Sequence, residues 1–299
     1  MSTHYSGYVN IIGRPNVGKS TLLNAMLGEK MAIISHKPQT TRHRILGIHS
    51  EDDYQIVFSD TPGLISDPGY KMQKAMNDAA FSIFEDADIV LFVTEPGDPY
   101  NGNEKVIDKL KSTDVPRFLI INKVDTSDPD TLKQLEADWR ERVPFEEVHH
   151  ISALQKIGVD YLLERIKANL PEGPVYFPKD QLSDRSVRFF LSEIIREKIL
   201  LLYKQEIPYS TEVIIEEFKE SEKRGAPFVH ILAHIFVMRK TQKQILIGKQ
   251  GSSIKKLGIE SRKDIEKFLE KRVHLELYVK IKEKWRDDDR LLKSFGYLQ

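Results

Sequence analysis

A chain of 299 residues is long enough for about two domains of ~150 residues each. Its 40 % hydrophobic and 9 % aromatic content excludes a disordered polymer, and the absence of cysteine excludes disulfides, thiolate nucleophiles and thiolate metal sites, which fits a cytosolic protein. The formal net charge of zero hides an asymmetry: residues 1–180 carry 20 Lys+Arg against 27 Asp+Glu, net −7, and residues 181–299 carry 25 against 18, net +7.

The first elements alternate. Apolar runs bounded by turn residues predict strands at Tyr8–Ile12, Tyr54–Ser59, Asp88–Thr94, Arg117–Asn122 and Val148–Ile151. Between them, helical patterns fall at Lys19–Leu27, Lys71–Phe84, Glu104–Lys111, Pro129–Arg140 and Val159–Leu170. Such alternation predicts an α/β domain with a mostly parallel sheet and a site in the loops at the strands' carboxyl ends. Pro171-Glu172-Gly173-Pro174 cannot continue a helix, so the domains are placed at 1–172 and 182–299, with 173–181 as a linker.

The second half predicts a helix at Ser183–Lys204 and strands at Thr211–Phe218 and Phe228–Met238. A short helix, a Gly-x-x-Gly turn, a helix at Ser252–Leu269 and a strand at Val273–Lys282 follow, giving the order αββααβ. Lys223 to Ile259 holds eight basic side chains and no acidic one. Charge alone leaves two readings open, a polyanion partner or a solvated face. No apolar run approaches the ~18 residues of a membrane helix, and Met1 to Tyr8 does not read as a secretory signal.

Gly13-Arg14-Pro15-Asn16-Val17-Gly18-Lys19-Ser20 matches G-x-x-x-x-G-K-[ST] between a predicted strand and a predicted helix, with Thr21 next. Its backbone amides and the helix N-terminus cradle phosphates, Lys19 neutralises the β/γ-phosphates, and the Ser20 hydroxyl suits Mg2+. Asp60-Thr61-Pro62-Gly63 ends a strand, where the carboxylate can reach that metal and the Gly63 N–H the γ-phosphate. Asn122-Lys123-Val124-Asp125 ends another. Asp125 can accept from guanine N1–H and its amine, a donor pair adenine lacks, while Lys123 lays its stem along the base. Ser152-Ala153 is placed to give guanine O6 a backbone N–H.

These motifs resemble the translation-factor-related class of P-loop GTPases. The resemblance implies that Gln39-Thr40-Thr41-Arg42-His43 is the first switch loop, with Thr41 on Mg2+ and Thr40 as the alternative. Leu64 stands where many such GTPases place a water-orienting glutamine, which implies slow intrinsic hydrolysis. Related GTPases with an apolar residue there use a P-loop asparagine to help bind K+, a role that falls to Asn16.

Ile247-Gly248-Lys249-Gln250-Gly251, followed by Ser252, Ile254 and Lys255, resembles the Gly-x-x-Gly signature of a type II KH domain, whose helix and strand form a groove for about four unstacked bases. His230 and His234 share a strand face at i, i+4 and, with no Cys and no nearby acid, read as a partly exposed strand pair rather than a metal site. Asp287-Asp288-Asp289 reads as a solvated run, and Trp285, Phe295 and Tyr297 could pack or stack on bases.

Together the two motif sets resemble the Era family of bacterial small-subunit assembly GTPases. That resemblance implies GTP and GDP as substrate and product, Mg2+, the 16S ribosomal RNA 3′ region and the 30S subunit as partners. It also implies a cytoplasmic location with peripheral association at the inner membrane; a monomer is expected, although the sequence does not fix the oligomeric state. Two other readings stay open: an RNA-binding protein with a purely structural nucleotide site, and a membrane-linked signalling GTPase.

Overall fold

The computed structural model describes every residue except Met1, Ser2, His36, Ser66, 99–103, Arg224 and Gln299. It divides into one unit of residues 1–69 and 73–184 and another of 70–72 and 185–299.

The first unit contains a six-stranded sheet of order β2-β3-β1-β4-β5-β6. Its strands are β1 (Tyr5–Gly13), β2 (Ile45–Ser50), β3 (Tyr54–Asp60), β4 (Ile89–Thr94), β5 (Arg117–Ile121) and β6 (Glu147–His150). The helices are α1 (Lys19–Leu27), α2 (Lys71–Phe81), α3 (Glu104–Ser112), α4 (Pro129–Arg142) and α5 (Val159–Ala168). All pairings are parallel except β2 with β3. The near-continuous apolar runs reflect burial on both faces. Ile89, Leu91 and Val93 enter a core with Leu22 and Leu23 of α1 and Leu162 and Ile166 of α5. Their neighbours Val90 and Phe92 enter the opposite core with Val106 and Leu110 of α3 and Trp139 of α4. Each such fully buried apolar side chain contributes about 1.5–3 kcal/mol, so the strand ends that carry the site sit on a stiff base.

Two expectations change here. Strand β2 was not foreseen. It is antiparallel to β3, with Ile45 opposite Asp60. Residues 173–181, expected as a linker, are fastened to the first unit instead. The Gln55 side chain takes the amides of Tyr176 and Phe177 at 2.8 and 2.9 Å and donates to the Phe177 carbonyl at 2.8 Å. Ser6 Oγ donates to the Pro174 carbonyl at 2.7 Å, and the Ile48 amide to the Leu182 carbonyl at 2.9 Å. The prolines stop the helix, but a buried glutamine on β3 supplies the partners that a free linker would lack.

In the second unit α6 (Val187–Leu202), α7 (Lys240–Ile247) and α8 (Ser252–Leu269) accompany β7 (Glu212–Lys223), β8 (Ala226–Val237) and β9 (Arg272–Ile281), followed by α9 (Asp289–Ser294). β8 is central, antiparallel to β7 and parallel to β9. Leu191, Ile195 and Ile199 recur every fourth residue on α6 and pack with Val229, Ile231, Ala233 and Ile235, the alternate residues of β8. This is the type II KH arrangement. The Asp287–Asp289 run is not merely solvated: Asp288 caps α9, accepting from the amides of Arg290 and Leu291 at 2.9 and 3.0 Å. Trp285 is fully buried, donates to the Ser210 carbonyl at 3.1 Å and packs against Phe295 and Tyr297, so these aromatics belong to the fold.

Candidate functional site

Strand β1 is buried on both faces and delivers Gly13 to the end of the sheet, where the chain turns and α1 begins at Lys19. No side chain caps this helix, so its first amides are left for an anionic ligand. Gly18 has φ +100°, and a Cβ there would lie 2.2 Å from Asn122 Nδ2. Only glycine fits that turn at that distance. Lys19 folds back to donate to the carbonyls of Gly13 and Arg14 at 2.9 and 2.8 Å. Burial pulls its ammonium down to about 8, with Asp60 acting the other way.

Ser20, Thr41 and Asp60 meet below the loop. Ser20 Oγ donates to Asp60 Oδ2 at 2.7 Å, Thr41 Oγ1 donates to the same oxygen at 3.2 Å, and the two hydroxyls are 2.9 Å apart. Thr40 points elsewhere, its hydroxyl donating to the Lys37 carbonyl at 2.6 Å. Asp60 is fully buried, which pushes its carboxyl up against the lowering influence of Lys19, Ser20 and Thr41. Its other oxygen, Oδ1, is buried and finds no donor of good hydrogen-bond geometry among the described residues, although the Thr61 amide also acts to lower this carboxyl. A buried carboxylate oxygen without a donor is costly. An all-oxygen set with one unsatisfied anionic oxygen suits a hard cation such as Mg2+, so the residues present fit the expected metal.

A cavity of about 340 Å³ opens beside this cluster, within the ~300–1,000 Å³ of small-molecule sites. Asn16, Gly18, Lys19, Ser20, Thr21, Thr41, Gly63, Asn122, Lys123 and Asp125 line it; Gly13, Val17, Asp60, Ser152 and Ala153 are not among its lining residues. Asn122 is only 2 % exposed and acts as a clamp, donating to the Val17 carbonyl at 2.8 Å and accepting from the Ala153 amide at 2.9 Å. Of the Ser152-Ala153 pair expected to give guanine O6 a backbone N–H, the Ala153 amide is engaged by Asn122 and the Ser152 amide by the Ile157 carbonyl at 3.0 Å, and the wall residue of that loop is the exposed Leu154. Lys123 Nζ reaches the Asn16 carbonyl at 2.8 Å and pairs with Glu95. Asp125 accepts from Gln155 Nε2 at 3.3 Å. Sequence reasoning missed Glu95, Leu154 and the wall residues Ile33, Ile34 and Ser35, which no local motif marks. Leu64 is 5 % exposed and packs with Ile12, Ala80 and Ile83, facing the core.

In the second unit Gly248, Gln250 and Gly251 all take positive φ, at 74, 52 and 77°. A Cβ on Gly248 would lie 2.2 Å from Ser253 Oγ and 2.9 Å from its backbone N, so the turn tolerates no side chain there. Lys249, Gln250, Ser252 and Lys255 are exposed, whereas Ile247 and Ile254 anchor the turn on the core. Beyond it a groove of about 360 Å³ runs between α8 and β9, lined by Ile254, Gly258, Ile259, Leu275 and Leu277, with Lys255, Arg262 and His274 among the walls. Of the eight basic side chains, Arg224 and the Lys223 side chain lie outside the described residues.

Residues 8–123 match the family model described as 50S ribosome-binding GTPase, and residues 206–286 match that of the KH domain. GTPase Era of Geobacter metallireducens is 47 % identical over 98 % of this chain and 97 % of its own length. GTPase Era of Syntrophus aciditrophicus is 47 % identical over 98 % and 95 %. A point variant of Aquifex aeolicus Era bound to GDP and AlF4− superposes with a TM-score of 0.92, at 36 % identity over 99 % of this chain and 100 % of that one. Era in complex with MgGDPNP and nucleotides 1506–1542 of 16S ribosomal RNA gives 0.93, with the same identity and coverage. With similarity of this degree running through both units, the chain belongs to the Era family of GTPases.

Proposed function

We propose that this protein is a GTP-hydrolysing switch that binds ribosomal RNA through its KH unit and assists small-subunit (30S) assembly. The observation that carries the reading is the Ser20–Thr41–Asp60 cluster around a fully buried carboxylate, in a chain that also holds an exposed basic Gly-x-x-Gly turn. The related Era bound to both MgGDPNP and 16S ribosomal RNA supports the pairing of those two ligands.

In this reading the amides between Gly13 and Thr21 hold the phosphates, and Lys19 neutralises charge as the γ-phosphate leaves. Ser20, Thr41 and Asp60 would hold Mg2+, which would supply positive charge against the phosphates. Gly63 faces the γ-phosphate. Asp125 selects guanine and Lys123 covers it, while Asn122 keeps the phosphate and base loops in register. Departure of the γ-phosphate removes a reason for Thr41 to stay in the cluster, which releases the switch loop.

Leu64 is committed to the core, so the side chain at that position cannot orient the attacking water, and unassisted hydrolysis is slow. Asn16, exposed beside the cavity, is assigned to a K+ ion that supplies positive charge. Equal turnover in K+ and Na+ buffers would remove that assignment. The protein is placed in the cytoplasm as a monomer, with any inner-membrane contact peripheral. Among the described residues no helix is long and apolar enough to cross a membrane. Single-turnover GTP hydrolysis with and without RNA tests the whole reading: hydrolysis that RNA changes supports it, and no hydrolysis under either condition leaves only a structural nucleotide site.

A further inference from the structure

The face of the KH sheet that turns away from the apolar core carries a cluster of titratable side chains, one of which, His274, also lines the groove between α8 and β9. Along β8 the residues alternate: Val229, Ile231, Ala233 and Ile235 enter the core, and His230, Leu232, His234 and Phe236 take the other face. The parallel register of β8 with β9 sets His230 beside His274 and Leu232 beside Glu276. The sequence alone pairs His230 with His234 and finds no acid nearby. Folding corrects both points, because the partners come from a strand about 45 residues later in the chain. His234 instead faces Glu216, with Nδ1 3.3 Å from Oε2.

His230 Nε2 lies 2.9 Å from Glu276 Oε1, and His274 Nε2 lies 3.4 Å from the same oxygen. The two imidazoles stack at 5.2 Å with 21° between their planes. One donor atom from each residue falls within 4.8 Å of the others. Donors ~2.0–2.2 Å from one zinc ion in tetrahedral array stand ~3.3 Å apart, so small side-chain rotations close this set on a cation. Tyr278 Oη donates to Glu276 Oε2 at 2.8 Å, fixing the carboxylate and leaving Oε1 to the imidazoles. The three side chains are 32, 57 and 34 % exposed, which leaves a path for the ion and room for water to complete its coordination.

We propose that His230, His274 and Glu276 form a binding site for a divalent transition cation of the zinc class. The two imidazoles are borderline nitrogen donors that favour Zn2+ over Mg2+ or Ca2+, and the carboxylate adds the negative charge. A bound ion ties β8 to β9 through side chains as well as through the ladder. Tyr278 is the outer partner that orients the carboxylate.

The test is calorimetric titration of the full-length protein, loaded with GDP in excess Mg2+, with ZnCl2. Expected is one saturable equivalent in the wild type, weakened about tenfold or more by each of His230→Gln, His274→Gln and Glu276→Gln. His234→Gln, on the same face, should leave the isotherm unchanged. Co2+ serves as a second probe: a visible absorption band should appear in the wild type and be lost in His274→Gln. Because His274 is largely exposed, the metal-free melting temperature of His274→Gln should match the wild type. Absence of a saturable zinc site, or an isotherm that His230→Gln and His274→Gln leave intact, overturns the proposal.

Discussion

The nucleotide cavity and the Gly-x-x-Gly turn, both proposed to recognise phosphate-bearing ligands, are built on opposite principles. The cavity buries its charges: Lys19 and Asp60 are 6 and 0 % exposed, and burial drives both toward their neutral forms. The turn exposes its lysines and takes its shape from backbone with positive φ. Buried groups act at a low effective dielectric, where one charge changes binding or rate by orders of magnitude. Exposed lysines act through water and salt, and each contributes little. The first design suits chemistry and strict choice of ligand, the second reversible grip on a polymer.

Substitutions that probe one site while leaving the other alone sharpen this contrast. The largest effect is expected at Asp125. Replacing it with Asn puts a donor opposite the guanine amine, and discrimination of GTP over ATP should fall by about 10³–10⁴-fold in competition binding. Unchanged discrimination would place base choice elsewhere. Next, Lys19→Ala should lower single-turnover hydrolysis by about 10²–10³-fold, while RNA affinity of the nucleotide-free protein, read by fluorescence anisotropy, stays within about twofold. Loss of both together would break the separation of the sites.

A smaller change is expected at the turn. Gly248→Ala forces a Cβ onto Ser253 and should weaken RNA binding about tenfold. GTP hydrolysis without RNA should remain at the wild-type rate.

The mildest test is pH. Lys19 has its free-state value near 8, lowered chiefly by burial, and a phosphate beside it raises that value. The complex then holds more protons than the free protein above pH 8, so affinity for GDP must fall as pH rises. The expected decline starts near pH 8, approaches about tenfold per unit, and is missing in Lys19→Ala. A wild-type profile flat to pH 9 would mean that Lys19 is not the phosphate's partner.

How much of this was legible beforehand depended on whether the determinants were local. The phosphate loop, Asp60 and Asp125 sit where strands end, and a strand–loop–helix pattern is written in consecutive residues. Helix α8 and the αββααβ order were readable for the same reason. Strand β2 was not: Arg42-His43-Arg44 precedes it and Gly47 interrupts it, and its ladder partner is β3. The fastening of 173–181 by Gln55 is a contact across about 120 residues that no local pattern encodes. Asn122 illustrates a subtler limit. Its place in the guanine motif was plain, but its work as a clamp between Val17 and Ala153 appears only once the loops are brought together. The choice between Thr40 and Thr41 likewise depended on which hydroxyl the folded loop turns toward Asp60.

The central claim is that nucleotide state governs RNA binding, and the most direct measurement is the affinity of the full-length protein for RNA spanning nucleotides 1506–1542 of 16S ribosomal RNA. It should be measured once with Mg2+ and GDP and once with Mg2+ and a non-hydrolysable GTP analogue. Allosteric coupling of ordinary strength gives affinities that differ by about 5–150-fold between the two states. Equal affinities would contradict the switch, leaving a GTPase and an RNA-binding unit that share a chain without communicating.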